Sequence, residues 1–146
     1  MTRYPDTSFL FNLYVPQAHA RAAAAYFARI TLPLAVTSLN HLELINAVNL
    51  ALFRKIIASG RGDAALAAID DDIGSGVLEI VPCDWSAVHS RALALATRHT
   101  SSGGHRGFDI LHVATALELG AREFLTFDAR QATLAKLAGL KTPLRT

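Results

Sequence analysis

The chain has 146 residues, the length of one globular domain, and its 51% hydrophobic and 18% charged residues exclude a disordered protein. A formal charge of +2 does not by itself indicate a nucleic-acid binder, although it allows local basic patches. The single cysteine, Cys83, excludes an intramolecular disulfide and suits a reducing compartment, so we expect a cytoplasmic protein. No apolar run approaches the roughly 18 residues that a membrane span requires, so we expect no membrane association.

The first half of the chain alternates short apolar runs with helical stretches. The predicted elements are a strand over residues 3–6, helices over 8–14 and 18–30, a strand over 32–38, and helices over 39–60 and 63–74. Pro5 weakens the first strand because proline cannot donate a hydrogen bond to a neighbouring strand.

The same alternation continues in the second half. The predicted elements are a strand over residues 77–82, a helix over 84–99, a flexible loop over 100–107, a helix over 108–119, a strand over 123–127, a helix over 129–139 and a weak last strand over 141–145. Asp84 stands where an N-cap is expected, and Gly120 where a helix should end.

This order of elements predicts an α/β fold. Strands that alternate with helices favour a mainly parallel central sheet covered on both faces, a three-layer α/β/α sandwich. Neither a low-complexity linker nor an internal repeat interrupts the chain, so we expect a single domain over residues 1–146. In such sheets the carboxyl ends of the strands and the amino ends of the following helices share one edge, where ligands usually bind.

Three aspartates stand at that edge in the predicted fold. Asp6 and Asp128 end predicted strands, and Asp109 opens a predicted helix, so all three are candidates for one crevice. Each also has a simpler explanation, because aspartate is a favoured N-cap and stabilises a helix start by about 1 kcal/mol or less.

Glu43 is the fourth candidate acid. It lies inside a predicted helix, where its neighbours on the same face are Leu39, Ala47 and Leu50. No lysine or arginine stands three or four residues away, so a local ion pair is excluded. Glu43 is either a solvated surface residue or a buried acid that needs a cation from elsewhere.

Four carboxylates in one crevice would repel each other unless a positive group joined them. Oxygen ligands without cysteine or clustered histidine favour Mg²⁺ or Mn²⁺ over Zn²⁺. A bound ion of this kind lowers the pKa of a water ligand and stabilises charge on a phosphodiester under attack. The pattern therefore predicts metal-dependent hydrolysis of phosphate esters.

Three blocks of the sequence resemble PIN-domain proteins, and most closely the VapC-like toxins of bacterial toxin–antitoxin pairs. The blocks are DTSFLFNLY, TSLNHLELINAV and GFDILHVATALELGAREFLTFDARQATLAKLAGL. The resemblance implies an endoribonuclease whose quartet of Asp6, Glu43, Asp109 and Asp128 holds Mg²⁺ or Mn²⁺ and positions a water for attack on RNA. Pro5 departs from the family pattern, which usually has an apolar strand residue at this position.

The same resemblance implies further contacts and partners. Thr126 matches a hydroxyl position near the metal, and Thr7 or Ser8 is expected to assist in a similar way. Independently of the resemblance, Arg106 shortly before Asp109 and Arg130 shortly after Asp128 are candidates to contact an RNA phosphate, with ordinary exposed surface as the alternative. The expected protein partners are a cognate antitoxin that covers the active-site groove and a second copy of the chain, with residues 42–53 offering apolar surface for the dimer.

Other functions stay open at this point. One is an inactive module that keeps the fold and binds RNA or protein, although four converging acids argue against it. A phosphoryl-accepting signalling domain would need an acidic pair after the first strand and a late strand-end lysine, whereas Asp6 is alone and Lys136 lies in a helix. A phosphatase that attacks through Asp6 would need a second aspartate where Ser8 stands.

Overall fold

Short strands and longer helices alternate along the chain in the computed structural model, which describes residues 1–146. The elements are β1 (Arg3–Pro5), α1 (Thr7–Tyr14), α2 (Ala20–Phe27), β2 (Leu34–Val36), α3 (Ser38–Phe53), α4 (Ser59–Gly74), β3 (Leu78–Ile80), α5 (Trp85–Leu95), α6 (Ser101–Gly103), α7 (Gly107–Glu118), β4 (Glu123–Leu125) and α8 (Ala129–Leu137). A π-helical segment, Ala96–Thr100, joins α5 to α6. The chain divides into two units, the first formed by residues 1–6 and 82–146 and the second by residues 7–81.

The first unit is built on the parallel pair of β1 and β4. Tyr4 lies opposite Phe124 in this register, and the Asp6 backbone N–H extends the pairing by donating to the Leu125 carbonyl at 2.9 Å. Pro5 fits within β1 because each strand of a two-stranded sheet is an edge, where a missing donor is tolerated. The predicted first strand therefore forms despite its proline.

Helix α7 forms the centre of the apolar core in this unit. Its buried face packs with residues of β1, β4 and α8. Removing so much apolar surface from water stabilises the unit and fixes the rotation of α7. The buried members of this core are Tyr4, Ile110, Val113, Ala116, Ala121, Phe124, Leu134, Ala135 and Leu140.

The second unit is built on the parallel pair of β2 and β3, which aligns Ala35 with Glu79. Helix α3 begins with a capping box, in which the Thr37 side chain accepts from the Asn40 N–H and the Asn40 side chain accepts from the Thr37 N–H. Leu44 and Val48 on α3 are buried and contribute to the core of this unit. Parallel strand pairs between helices confirm the predicted α/β class.

Several predicted elements are shorter in the structure, and three predictions differ by more than a shift of the element ends. Helix α3 ends at Phe53 rather than at residue 60, because Lys55 adopts a left-handed φ of 56° and turns the chain before α4 begins at residue 59. The predicted flexible loop over 100–107 is helical as far as Gly103. The predicted last strand is reduced to one bridge between Lys141 and Glu123. No helix is long and apolar enough to cross a lipid bilayer.

Candidate functional site

Asp6 and Asp128 follow the carboxyl ends of the two paired strands of the first unit. Asp6 comes directly after β1, where it is 1% exposed and bonded through its N–H to Leu125 at the end of β4. Asp128 lies three residues beyond Leu125. The sequence placed Asp6 correctly at a strand end, whereas Asp128 lies in the turn between β4 and α8 because the strand ends at Leu125 rather than at residue 127.

The turn before α8 holds Asp128 in one orientation. The Asp128 N–H donates to the hydroxyl of buried Thr126 at 2.9 Å, while Asp128 Oδ1 accepts from the N–H groups of Arg130 at 2.8 Å and Gln131 at 3.0 Å. Asp128 is thus the N-cap of α8, which confirms helix capping, the simpler explanation given for this aspartate. Because Oδ1 accepts the capping hydrogen bonds, Oδ2 is the carboxylate oxygen that faces Arg106.

Arg106 connects Asp128 to Asp109. Asp109 lies in the first turn of α7, where the positive end of the helix dipole favours a carboxylate. Arg106 Nε is 2.9 Å from Asp109 Oδ2, and Arg106 Nη2 is 3.7 Å from Asp128 Oδ2. The amide of Gln131 also donates to the Asp109 carbonyl at 3.4 Å. One guanidinium therefore faces two of the predicted acids.

This donor set suits a hard divalent cation. Asp109 and Asp128 each direct an oxygen at a single positive group, and Asp6 is a buried carboxylate, which costs free energy unless a cation or hydrogen bonds compensate it. Oxygen ligands of this type select Mg²⁺ or Mn²⁺. In the present arrangement, no three histidine, cysteine, aspartate or glutamate side chains are grouped closely enough to hold a metal ion. The carboxylate oxygens of these residues suit the metal ion chemically, but the side chains would have to move closer together to bind it.

Glu43, Thr7 and Ser8 belong to the second unit. Glu43 is half-buried on α3, and its Oε2 accepts a hydrogen bond of 2.5 Å from the Thr7 hydroxyl. Thr7 directly follows Asp6 in the chain. The carbonyl of Ser8, also half-buried, accepts from the side-chain amide of Asn12 at 2.8 Å. Glu43 is therefore neither a fully solvated nor a fully buried acid, and its role in catalysis stays a prediction.

The basic residues near the acids differ in their surroundings. Arg106 is 68% exposed and paired, whereas Arg130 is exposed on the first turn of α8 and makes no ion pair. His105 lies in the segment that was predicted as a flexible loop over residues 100–107, but it is 8% exposed, and neither ring nitrogen has a hydrogen-bond partner. Its imidazole packs against Gly103, where no side chain could fit without moving it.

Two contacts of the site were missed by the sequence analysis. Gln131 stands three residues after Asp128, the spacing of a capping box, so this pattern was a usable signal. Its side chain bonds to the start of α7 instead of to its own helix. The buried hydrogen bond between Tyr4 and His112 spans 108 residues, and no local pattern could have indicated it.

The surroundings of Asp72 and Cys83 argue against a role for either in the site. Asp72, in the acidic run at the end of α4, accepts a hydrogen bond of 2.6 Å from the Tyr14 hydroxyl and so has a structural role. Burial, with smaller contributions from the charges of Glu118 and Asp84, raises the pKa of the Cys83 thiol. Cys83 is therefore a poor nucleophile at neutral pH.

Comparisons with known proteins agree with this fold. The family model of the PIN domain matches residues 3–137. The crystal structure of Mycobacterium tuberculosis VapC20, a sarcin-ricin loop cleaving toxin, is similar with a TM-score of 0.71 and 19% sequence identity, over 99% of this chain and 100% of that one. No curated protein sequence matched significantly. At this level of identity the structural likeness establishes the fold, which is the α/β fold that the sequence predicted.

Proposed function

Because the chain belongs to the PIN-domain family, we propose that it is a metal-dependent endoribonuclease that hydrolyses RNA phosphodiesters. The observation that carries this proposal is the convergence of Asp109 and Asp128 on one positive group beside the strand pair that ends at Asp6. Similarity of fold to VapC20 supports the further proposal that the protein is the toxin of a type II toxin–antitoxin pair.

The residues of the first unit have distinct proposed roles. Asp6, Asp109 and Asp128 hold Mg²⁺ or Mn²⁺, which when bound stabilises phosphate charge and activates water. Thr126 keeps Asp128 in place through its hydrogen bond to the Asp128 N–H. The exposed guanidinium of Arg130 binds an RNA phosphate, for which its planar donors are well suited.

The roles proposed for residues of the second unit follow from the resemblance to the PIN-domain family. We assign Glu43 as the fourth acid of the quartet, and the Thr7 hydroxyl orients its carboxylate. Ser8 is assigned a supporting contact to the substrate. The family match includes residues of both units, which supports one PIN domain over residues 1–146.

The proposed activity is tested by incubating purified protein, free of any antitoxin, with a mixed, end-labelled RNA pool. We expect discrete cuts in Mg²⁺ or Mn²⁺ that EDTA abolishes and that Asp109→Asn lacks. The matched control is Asp63→Asn, which removes one exposed carboxylate from α4 and should cut like the parent. Undiminished cutting by folded Asp109→Asn would refute the site. A folded parent that binds RNA but cuts none in either metal would favour the inactive binding module.

Protein partners are proposed from the same family membership. A cognate antitoxin and a second copy of the chain are the expected partners, and the second unit exposes Leu42, Phe53 and Ile56 at 64%, 83% and 58%. Large exposed apolar side chains on one helix and the segment that follows it are typical of interaction surfaces. Light scattering after size exclusion should give the dimer mass at micromolar concentration. Phe53→Asp should give the monomer mass, whereas Leu93→Asp, at a leucine of α5 that is 71% exposed, should leave the dimer mass unchanged.

A further inference from the structure

The guanidinium of Arg106 occupies the position of a cation between Asp109 and Asp128. Its Nε lies 2.9 Å from Asp109 Oδ2, and its Nη2 lies 3.7 Å from Asp128 Oδ2. We propose that Arg106 is a resident counter-cation that a divalent metal ion must displace, and that this competition lowers the metal affinity of the protein. The inference rests on the metal site of the proposed function, and it identifies a residue that limits how readily a metal ion occupies that site.

Competition follows from which oxygens Arg106 contacts. Asp128 Oδ1 accepts two backbone hydrogen bonds at the start of α8, so Oδ2 is the oxygen that can turn toward a ligand without uncapping the helix. That oxygen faces Arg106, as does Asp109 Oδ2. A guanidinium and a divalent cation also repel each other strongly at short range. Metal and Arg106 therefore cannot share these two oxygens.

The structure also allows Arg106 to leave. Its side chain is 68% exposed, and at 3.7 Å its contact with Asp128 is an ion pair without hydrogen-bond geometry. The Asp109 side chain is only 15% exposed, but the guanidinium itself contacts solvent, where ion pairs contribute modest free energy and are weakened by salt. Arg106 stands at the N-cap of α7 without a capping hydrogen bond from its side chain, so its departure leaves the helix start intact.

Displacement has a consequence for substrate binding. Arginine stays protonated at all physiological pH values, so the displaced guanidinium keeps its charge and its planar set of donors. It remains attached next to the acids and is suited to bind a phosphate oxygen of RNA. Arg106 thus neutralises the acids before the metal arrives and is released for the substrate afterwards.

The test measures Mn²⁺ binding by the full-length protein without RNA, from the electron paramagnetic resonance signal of free Mn²⁺. We expect Arg106→Gln to bind Mn²⁺ about two- to tenfold more tightly than the parent, the range that loss of one exposed, doubly paired charge implies. Arg106→Lys keeps the charge but not the planar fork and should fall between the two. Arg98→Gln removes an exposed arginine charge elsewhere in the first unit and should match the parent.

The Mn²⁺ measurements distinguish failure of the competition alone from failure of the metal site itself. If Asp109→Asn loses Mn²⁺ binding while folded Arg106→Gln binds no more tightly than the parent, the competition is refuted and the metal site stands. If neither the parent nor Arg106→Gln binds Mn²⁺, both the inference and the metal-dependent function fail. Thermal unfolding curves of every variant establish that each is folded.

Discussion

The hydroxyl of Tyr4 lies 2.8 Å from Nδ1 of His112, and both side chains are almost completely buried. Tyr4 precedes Asp6 by two residues on β1, while His112 follows Asp109 by about one turn of α7. Tyr4 also stacks on Phe124 of β4, with ring centroids 5.6 Å apart. The hydrogen bond therefore ties the helix that carries Asp109 to the strand that leads into Asp6.

Tyr4→Phe should destabilise the protein. The change keeps the ring and its stacking but deprives buried His112 of one hydrogen bond, which costs about 1–3 kcal/mol. Urea unfolding should show this loss, and RNA cleavage should fall because α7 is held less firmly. If the free energies of unfolding of Tyr4→Phe and the parent agree within experimental error, a structural role for this contact is contradicted.

Two substitutions of Asp128 should separate its structural from its catalytic role. Asparagine is as good an N-cap as aspartate, so Asp128→Asn should keep the stability of α8 while losing the charge needed for metal binding and cleavage. Asp128→Ala should lose cleavage and also about 1 kcal/mol of stability. Chemical unfolding of both variants measures the difference. Equal stability of Asp128→Asn and Asp128→Ala would contradict the capping role. RNA cleavage by Asp128→Asn would contradict the role in metal binding.

Gly103→Ala should disturb the segment that carries Arg106. A Cβ at this position would overlap the buried ring of His105, so the ring or the loop must move, at a cost of about 1–3 kcal/mol. Gly107→Ala is the matched control, because a Cβ there meets nothing within 4 Å and the residue begins α7. It should be neutral or slightly stabilising. Equal melting temperatures for the two variants would refute the packing of His105 against Gly103.

The sequence predicted the positions of the acids better than their contacts. An apolar run ends just before Asp128, so that strand could be predicted from a local pattern, whereas Pro5 weakened the prediction of the strand before Asp6. The pairing of Arg106 with Asp109 and Asp128 depends on how α7 and α8 pack, which periodicity does not encode. The end of α3 was missed for a local reason, since the left-handed backbone of Lys55 interrupts a sequence that still favours a helix.

Thr7→Val should reduce cleavage without abolishing it. Valine keeps the shape of threonine but removes the hydroxyl that donates to Glu43, so the carboxylate loses its orientation and keeps its charge. Glu43→Gln removes the charge and should abolish cleavage. Rates of RNA cleavage in saturating Mg²⁺, with folding checked by circular dichroism, compare the two variants. Full activity of Glu43→Gln would exclude Glu43 from the quartet.

The bond between Tyr14 and Asp72 predicts a loss of stability at alkaline pH. Burial, followed by the hydrogen bond to Asp72 and its charge, raises the pKa of Tyr14 above the ordinary tyrosine value of about 10. The folded protein therefore keeps Tyr14 protonated at a pH where the unfolded chain releases the proton. This contribution to stability is fully present below about pH 10 and is lost as the pH rises further.

Tyr14→Phe removes both the hydrogen bond and this dependence on pH. The parent should be more stable than the variant at pH 8, and the difference should narrow as the pH is raised from about 10 to 11, because only the parent has Tyr14 to ionise on unfolding. Urea unfolding of both proteins across this range measures the free energies of unfolding. If the curves of stability against pH for the parent and Tyr14→Phe stay parallel above pH 10, Tyr14 titrates alike in the folded and unfolded chains. The inferred burial of its hydroxyl against Asp72 would then be wrong.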